Sequence, residues 1–408
     1  MNNSQVAKSG VILDNTTFIQ ASSILSPYRG DVYEDHFIPW HYRDVQDLAN
    51  FIEALVLHDK IYLDPDTLNI ENPTIQALIN KLPNIIEWQD YSTTSRAEII
   101  RRCHELTEER GRQGVFLEAI RQMPIRFWKE FYKREAKAHQ QRDYGMLIYD
   151  GLSILDPELK KDRDFVPTRR FRSYLPEGFE SGVEDIKSPI VEDPALTMLP
   201  IMALIVRGYF HLIYSIETGI PYQPLTARAP FIQHELYYSE TKRVCFRQIL
   251  LREYEEIRAE LSSEANDVLN TRVFEVQIPL VLAYVLRKSK SGGDVLDRAL
   301  ELRESKNLVR YREFCADIET RLLTEEISPL DIKKLKGELY GIAYDTCRSS
   351  LLERMSISIG IPPSISIGLP ISIMKKKRGL LFLYDLQTVT QHLQSLEPDL
   401  IRLDLPSP

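Results

Sequence analysis

The sequence has little cysteine and little tryptophan, four and three residues respectively in 408. Cys103, Cys245, Cys315 and Cys347 lie far apart with no C-x-x-C pair among them. That spacing suggests neither a zinc ribbon nor a disulfide framework, and it fits a reducing compartment. The opening MNNSQVAKSGVILDN has no apolar core of a secretory signal, and neither end carries a lipidation motif. A cytoplasmic location is the expectation. There is no G-x-x-x-x-G-K-[ST], no G-x-G-x-x-G and no G-x-S-x-G, so P-loop hydrolysis, Rossmann redox chemistry and α/β-hydrolase catalysis lose support. HEXXH, HXH and carboxylate-rich calcium loops are absent too. No cofactor is expected.

What is present is ordinary globular material: 43% hydrophobic and 27% charged residues, which excludes wholesale disorder. The length suits two or three domains, or one large helical domain with insertions. A net charge of −8 argues against a protein that coats nucleic acid with its whole surface. The charge is unevenly spread, however. From Arg121 to Tyr174 there are thirteen Lys or Arg against eight Asp or Glu.

The longest apolar stretch lies between Asp193 and His234. It predicts a helix with Asp193 as N-cap, Pro194 in the first turn, Gly219 at its end and Pro221 beyond. Almost every residue from Ile201 to Ile216 is apolar, which predicts burial on most sides. Pro200 is expected to bend the helix or end its first turn. Arg207 and His211 near the middle argue for a soluble core helix over a membrane span. Arg207, His211 and Tyr214 share one side, continued by Thr218. A buried arginine there needs a carboxylate or a set of carbonyls. One reading is a structural ion pair. The other is the floor of a pocket walled by Tyr222 and Arg228.

Along the chain, Val11–Leu13 and KIYL at 60–63 read as short strands, while the rest of residues 1–43 resists assignment. Helices are predicted over 44–57, 74–82, 95–110, 125–141, 228–238, 242–261, 276–287, from near Gly293, within the segment 301–323 through Leu308, Tyr311, Cys315, Ile318 and Leu322, and over 331–355 and 386–396. Near the C-terminus, SISIGIPP and SISIGLPI at 356–371 duplicate a Ser/Ile octad with the period of a half-buried strand. LLFLY at 380–384 is read as a further strand. The expected fold is mainly α, a multi-helix bundle with a minor β component near 11–13, 60–64 and 355–384. Its expected divisions are a mostly helical region 1–143, an irregular linker 144–192, a central bundle 193–354 and a β-containing segment 355–408.

Three constellations bear on chemistry. Asp35, His36 and His41, within a loop also holding Asp31, Glu34, Asp44 and Asp47, have ligand types that suit a divalent metal, but their spacing matches no metal motif. A polar loop feeding a helix N-terminus, where Asp44 and Asp47 suit the dipole, is the favoured account of them. Arg126, Lys129, Lys133 and Lys137 share one side of the 125–141 helix, with Trp128, Phe131 and Tyr132 toward another. Arg169, Arg170 and Arg172 follow, interleaved with Phe171 and Tyr174. Cations beside rings are what grooves for single-stranded nucleic acid use, and a solvated basic face is the competing account.

The spacing Arg134-x4-His139 resembles the R-x4-6-H motif of HEPN-type ribonucleases, which implies that Arg and His act on a scissile phosphate. Glu135 departs from the small polar or amide residue of that family. The R-x4-6-H pattern is met twice more, at Arg29-x6-His36 and Arg228-x5-His234, so the comparison is not adopted. GVILDNTTFI resembles the first strand of PIN-type nucleases, with Asp14 at the strand end. That family implies three or four carboxylates around metal on an α/β sheet, and the sequence does not display the required alternation of strand and helix.

The leading expectation is a soluble, prokaryotic-type interaction or regulatory protein. Its basic segment 121–174 would contact nucleic acid or an acidic protein surface, and self-association or another protein partner remains in play. A nuclease-like enzyme using Arg134 and His139, or Arg207 and His211, is the alternative. A structural subunit of a larger assembly is the third. No membrane contact is expected.

Overall fold

The computed structural model describes residues 10–25, 42–116 apart from 67, 69, 93 and 94, 194–238 apart from 226 and 227, 247, 250–257, 280–323, 333–344 and 380–386. The fold is mainly helical with a small parallel sheet. Its first elements are β1 (Gly10–Leu13), α1 (Asn15–Leu25), α2 (Tyr42–Leu57), β2 (Lys60–Leu63), α3 (Pro73–Lys81), β3 (Ile86–Trp88) and α4 (Arg96–Arg112). Then follow α5 (Pro194–Thr218), β4 (Tyr222–Gln223), α6 (Ala229–Tyr238), α7 (Leu280–Lys288), α8 (Val295–Arg303) and α9 (Lys306–Leu323). The strand order is β3-β2-β1-β4, and all three pairings are parallel.

Strand alternation explains the layering. Val11, Leu13, Ile61 and Leu63 point into a core shared with α1, α2, α7 and α8, while Ile12 and Tyr62 point into a second core made with α4, α5 and α6. Side chains of successive strand residues leave opposite faces, so a strand apolar at every position needs cover on both. GVIL is such a strand, and all four of its residues are buried. The strand and helix alternation that the sequence did not display is therefore present around this sheet. It was hidden because β3 has three residues and β4 two, too few for a periodic signal.

Helix α2 is enclosed on more sides than its apolar stripe predicts. Every residue from Phe51 to Leu57 is buried, because the helix lies between the sheet on one side and α7 and α8 on the other. Its C-terminal carbonyls are capped by three arginines. Arg247 Nη1 donates to Leu57 O at 2.8 Å, Arg312 Nη1 to Val56 O at 3.1 Å, and Arg303 Nη2 to Asp59 O at 2.9 Å. Arg303 Nη1 also donates to the carbonyls of Leu55 and His58. Guanidinium groups at a helix C-terminus satisfy orphan carbonyls and meet the negative end of its dipole.

Helix α5 continues through Pro200 to Thr218, so Pro200 does not end its first turn. It stops at Gly219, whose φ of 76° is the left-handed conformation that glycine adopts at no steric cost. Leu204, Ile205, Val206, Tyr209, Phe210, Leu212 and Ile213 are all buried, as the uniformly apolar sequence predicts.

One strand expectation is corrected. LLFLY is helical, with a helix over Leu381–Asp385. Leu380, Phe382, Leu383 and Leu386 are buried, and the Phe382 ring lies 5.3 Å from that of Tyr311 on α9. So short an apolar run has no decisive period, and packing on α9 selected the helix. The Ser/Ile octads at 356–371 and the helix expected over 125–141 lie outside the described residues. So does the rest of the 355–379 strand region.

Candidate functional site

Each of the two N-terminal strands ends in an aspartate. Asp14 follows β1 and Asp64 follows β2, and both are completely buried. They sit at the carboxyl ends of parallel strands, beside the point where the order runs from β1 to β2 in one direction and to β4 in the other. Open α/β sheets place their ligand crevices at such switch points.

Asp14 opens α1. Its main-chain carbonyl accepts from Phe18 N–H at 3.1 Å, and its Oδ1 accepts from Thr16 N–H at 3.3 Å. Oδ2 accepts from the Tyr222 hydroxyl at 2.9 Å and from Leu225 N–H at 3.4 Å. Arg228, also wholly buried, closes an ion pair on Oδ1. Burial alone would raise the Asp14 pKa, but Arg228, with Arg207 further off, outweighs it and holds the carboxyl well below the usual carboxylate range.

Asp64 has a matching environment. Its Oδ1 accepts from the Tyr91 hydroxyl at 2.9 Å and from Asp66 N–H at 3.2 Å. Its Oδ2 pairs with Arg207 Nη2 at 2.8 Å and lies 3.4 Å from Arg96 Nη1. Burial pushes this carboxyl up, and Arg207 and Arg96 pull it further down, to about 2. The buried arginine that α5 carries thus has its carboxylate. Asn15 ties the two strand ends together, donating from Nδ2 to Asp64 O at 2.8 Å and accepting from Asp64 N–H at 3.0 Å on Oδ1.

His211 lies one turn along α5 from Arg207 and is completely buried. Its Nδ1 is 3.2 Å from Gln89 Nε2, and its ring centroid is 5.1 Å from that of Tyr222. Burial, followed by the charge of Arg207, drives its pKa well below the ordinary value, so the ring is neutral. With the Gln89 amide donating to Nδ1, the ring proton is assigned to Nε2. Further along the helix, the Tyr214 hydroxyl accepts from Asp90 N–H at 2.9 Å. Arg96 closes the outer side, bonding Asp66 at 2.9 Å with its guanidinium carbon 4.9 Å from the Phe210 ring centroid.

Three guanidiniums, those of Arg96, Arg207 and Arg228, therefore meet three carboxylates, those of Asp14, Asp64 and Asp66. Among the described residues, no group of three or more His, Cys, Asp or Glu is placed to hold a metal ion. Of the residues singled out in the sequence, Arg207, His211, Tyr214, Tyr222 and Arg228 are brought together here. Arg126, Lys129, Lys133, Arg134, Lys137, His139, Arg169, Arg170 and Arg172 lie outside the described residues, as do Asp35, His36 and His41. Asp64, Tyr91, Gln89, Arg96 and Asn15 were not anticipated. The signal available for them was a repeated pattern, since GVIL and KIYL are each followed at once by aspartate.

No family model, curated protein or solved structure matches this chain. No helix among the described residues is long and apolar enough to cross a membrane.

Proposed function

We propose that this protein works by binding a macromolecule, as an interaction or regulatory protein, with the strand-end cluster as the lock that fixes its sheet. One observation carries the reading: both strand-end aspartates are closed by wholly buried arginines. Their remaining acceptor positions are taken by Tyr91, Tyr222 and backbone N–H groups. A carboxylate so engaged has little left to offer a metal ion or an attacking water. The partner we propose is nucleic acid or an acidic protein surface, met by Arg126, Lys129, Lys133, Lys137, Arg169, Arg170 and Arg172. Support for that partner is compositional, an excess of positive charge over 121–174 in a chain of net charge −8.

A nuclease-like enzyme is the second reading, favoured by the placement of Asp14 and Asp64 at the ends of adjacent parallel strands. For it to operate, Arg228 and Arg207 would have to release both carboxylates. The test is binding of a labelled single-stranded RNA and DNA pool at two salt concentrations, with probe integrity read on the same gel. Salt-sensitive binding with intact probe is expected. Cleavage that disappears in Asp14→Asn or His139→Ala would overturn the binding reading in favour of the enzyme.

A further inference from the structure

Arg252 is shared between two carboxylates. Its Nη2 donates to Glu53 Oε2 at 2.9 Å and its Nη1 to Glu255 Oε2 at 2.8 Å, with Glu256 adding a further negative charge nearby. Glu53 is wholly buried on α2, and its Oε1 has no hydrogen-bond partner. Glu255 is the better satisfied of the two, because its Oε1 accepts from Leu280 N–H at 2.8 Å and so takes the first orphan donor of α7. A single run of contacts therefore joins α2, the helical residues 250–257 and the start of α7. With Glu53 ionised, that run sets one guanidinium against two carboxylates, and the deeper carboxylate keeps an oxygen that nothing solvates. A proton on Glu53 removes the excess charge and leaves Arg252 to Glu255 alone.

The charged groups on the described elements packed around α2 leave that excess in place. Helix α1 and strand β1 carry no ionisable side chain, and Lys60 of β2 bonds Glu87. Arg287 and Lys288 lie in the last turn of α7, at the opposite end from Leu280. On α8, Arg298 bonds Asp294 and Glu301, Arg303 sits on the carbonyls of Leu55, His58 and Asp59, and Asp297 and Glu304 are exposed. Glu253, next to Arg252, is paired with Lys336. Burial, opposed by Arg252 and reinforced by Glu255, pushes the Glu53 carboxyl up to about 7. We propose that this run of contacts is a proton-sensitive clasp: a proton on Glu53 holds residues 250–257 and the start of α7 against α2, and its loss loosens that seam. The proton passes to solvent, which reaches the pair through Arg252, 41% exposed at its side chain. An open seam wets Glu53 and restores its ordinary value of 4.5, so the closed form binds the proton more tightly and opening is favoured as pH rises through about 7. The strand-end cluster takes no part, since Asp14 and Asp64 stay ionised over this range.

The test is amide hydrogen exchange of the full chain at pH 6 and pH 8, corrected for the intrinsic exchange rate and read at Leu280 in the first turn of α7. Opening is expected to be about tenfold more frequent at pH 8, the factor that a carboxyl moved from 4.5 to about 7 gives between those two conditions. The first turn of α4, where Ser95 holds the Glu98 N–H, is the distant reference and is expected not to change. Glu53→Gln, which keeps the shape and carries no charge, is expected to hold the seam alike at both pH values. No excess change at Leu280 in the wild type would overturn the proposal. An equal change in α4 would overturn it too, because it marks loosening of the whole fold, and so would a pH dependence that persists in Glu53→Gln. The wild-type measurements decide without the variant, so the test stands even where the glutamine disturbs folding.

Discussion

Among the described residues arginine is buried in two places, and the two are solved differently. At the strand ends, Arg207 and Arg228 meet ionised aspartates, charge against charge. At the end of α2, Arg247, Arg303 and Arg312 chiefly meet carbonyl oxygens, charge against the partial charges of a helix terminus. The difference shows in the pKa directions. Arginine holds the strand-end carboxyls low, whereas at the helix end burial itself lowers Arg303 and Arg312, with Asp59 and Glu304, and for Arg312 also Glu313, opposing it only in part. A full counter-charge offsets desolvation far better than a dipole does. The strand-end cluster should therefore be the more brittle when one partner is removed.

The sharpest way to break that comparison is Arg228→Ala, which leaves Asp14 buried without its main counter-charge. The expected loss is about 3 to 5 kcal/mol in urea unfolding, most of it recovered by adding Asp14→Asn. A loss no larger than that of a helix-end arginine would erase the distinction. Arg303→Met, which strands carbonyls of Leu55, His58 and Asp59, is expected to cost less, about 1 to 3 kcal/mol by the same measurement.

A second comparison concerns pH. Glu53 of α2 is wholly buried against Arg252 at 2.9 Å, and Arg252 also pairs with Glu255 at 2.8 Å. Burial, which Arg252 only partly opposes, pushes the Glu53 carboxyl up to about 7 from an ordinary value of 4.5. Because the folded state holds this proton more tightly than the unfolded chain, its contribution is present below about pH 4.5 and is lost as pH rises through about 7. Asp14 and Asp64 act in the opposite sense. Their folded values are depressed, so their contribution is present above the ordinary 3.8 and is lost as pH falls below it. Stability measured from pH 8 downward should rise through neutrality and then fall in acid, first below about 6.5 as the buried neutral His211 and His58 resist protonation and then further as the aspartates protonate. Glu53→Gln should flatten the neutral limb and leave the acid limb in place, a result read from urea midpoints across pH. The smallest effect is expected from Asn15→Ala. It removes the amide that joins the ends of β1 and β2 and should cost about 1 to 2 kcal/mol in the same assay.

Much of the helical content could be read along the chain. Asn72 and Ser95 cap α3 and α4, with their side chains accepting from the first-turn N–H groups. Gly219 ends α5 where the sequence placed its stop. Helix α1 was not legible, because NTTFIQASSIL is rich in small polar residues and Asn15, Thr16, Thr17, Gln20 and Ser22 are buried with the apolar ones. Burial of polar side chains follows from where α1 lies, against α2 and α3, and no apolar stripe announces it. The C-terminal LLFLY segment shows the same limit, since its conformation came from its contact surface on α9.

At the candidate site, the sequence by itself determined that Arg207 and His211 stand on one side of a buried helix and that the arginine requires a partner, because helical spacing and the cost of an unpaired buried charge are local facts. Which carboxylate answers was decided only by the tertiary structure. Asp14 and Asp64 come from strands that start fifty residues apart, and β4, over two hundred residues from β1, brings Tyr222 and Arg228 onto the same strand ends. Parallel pairing joins segments distant in the chain, and two or three residues of strand carry no period from which such a pairing can be read.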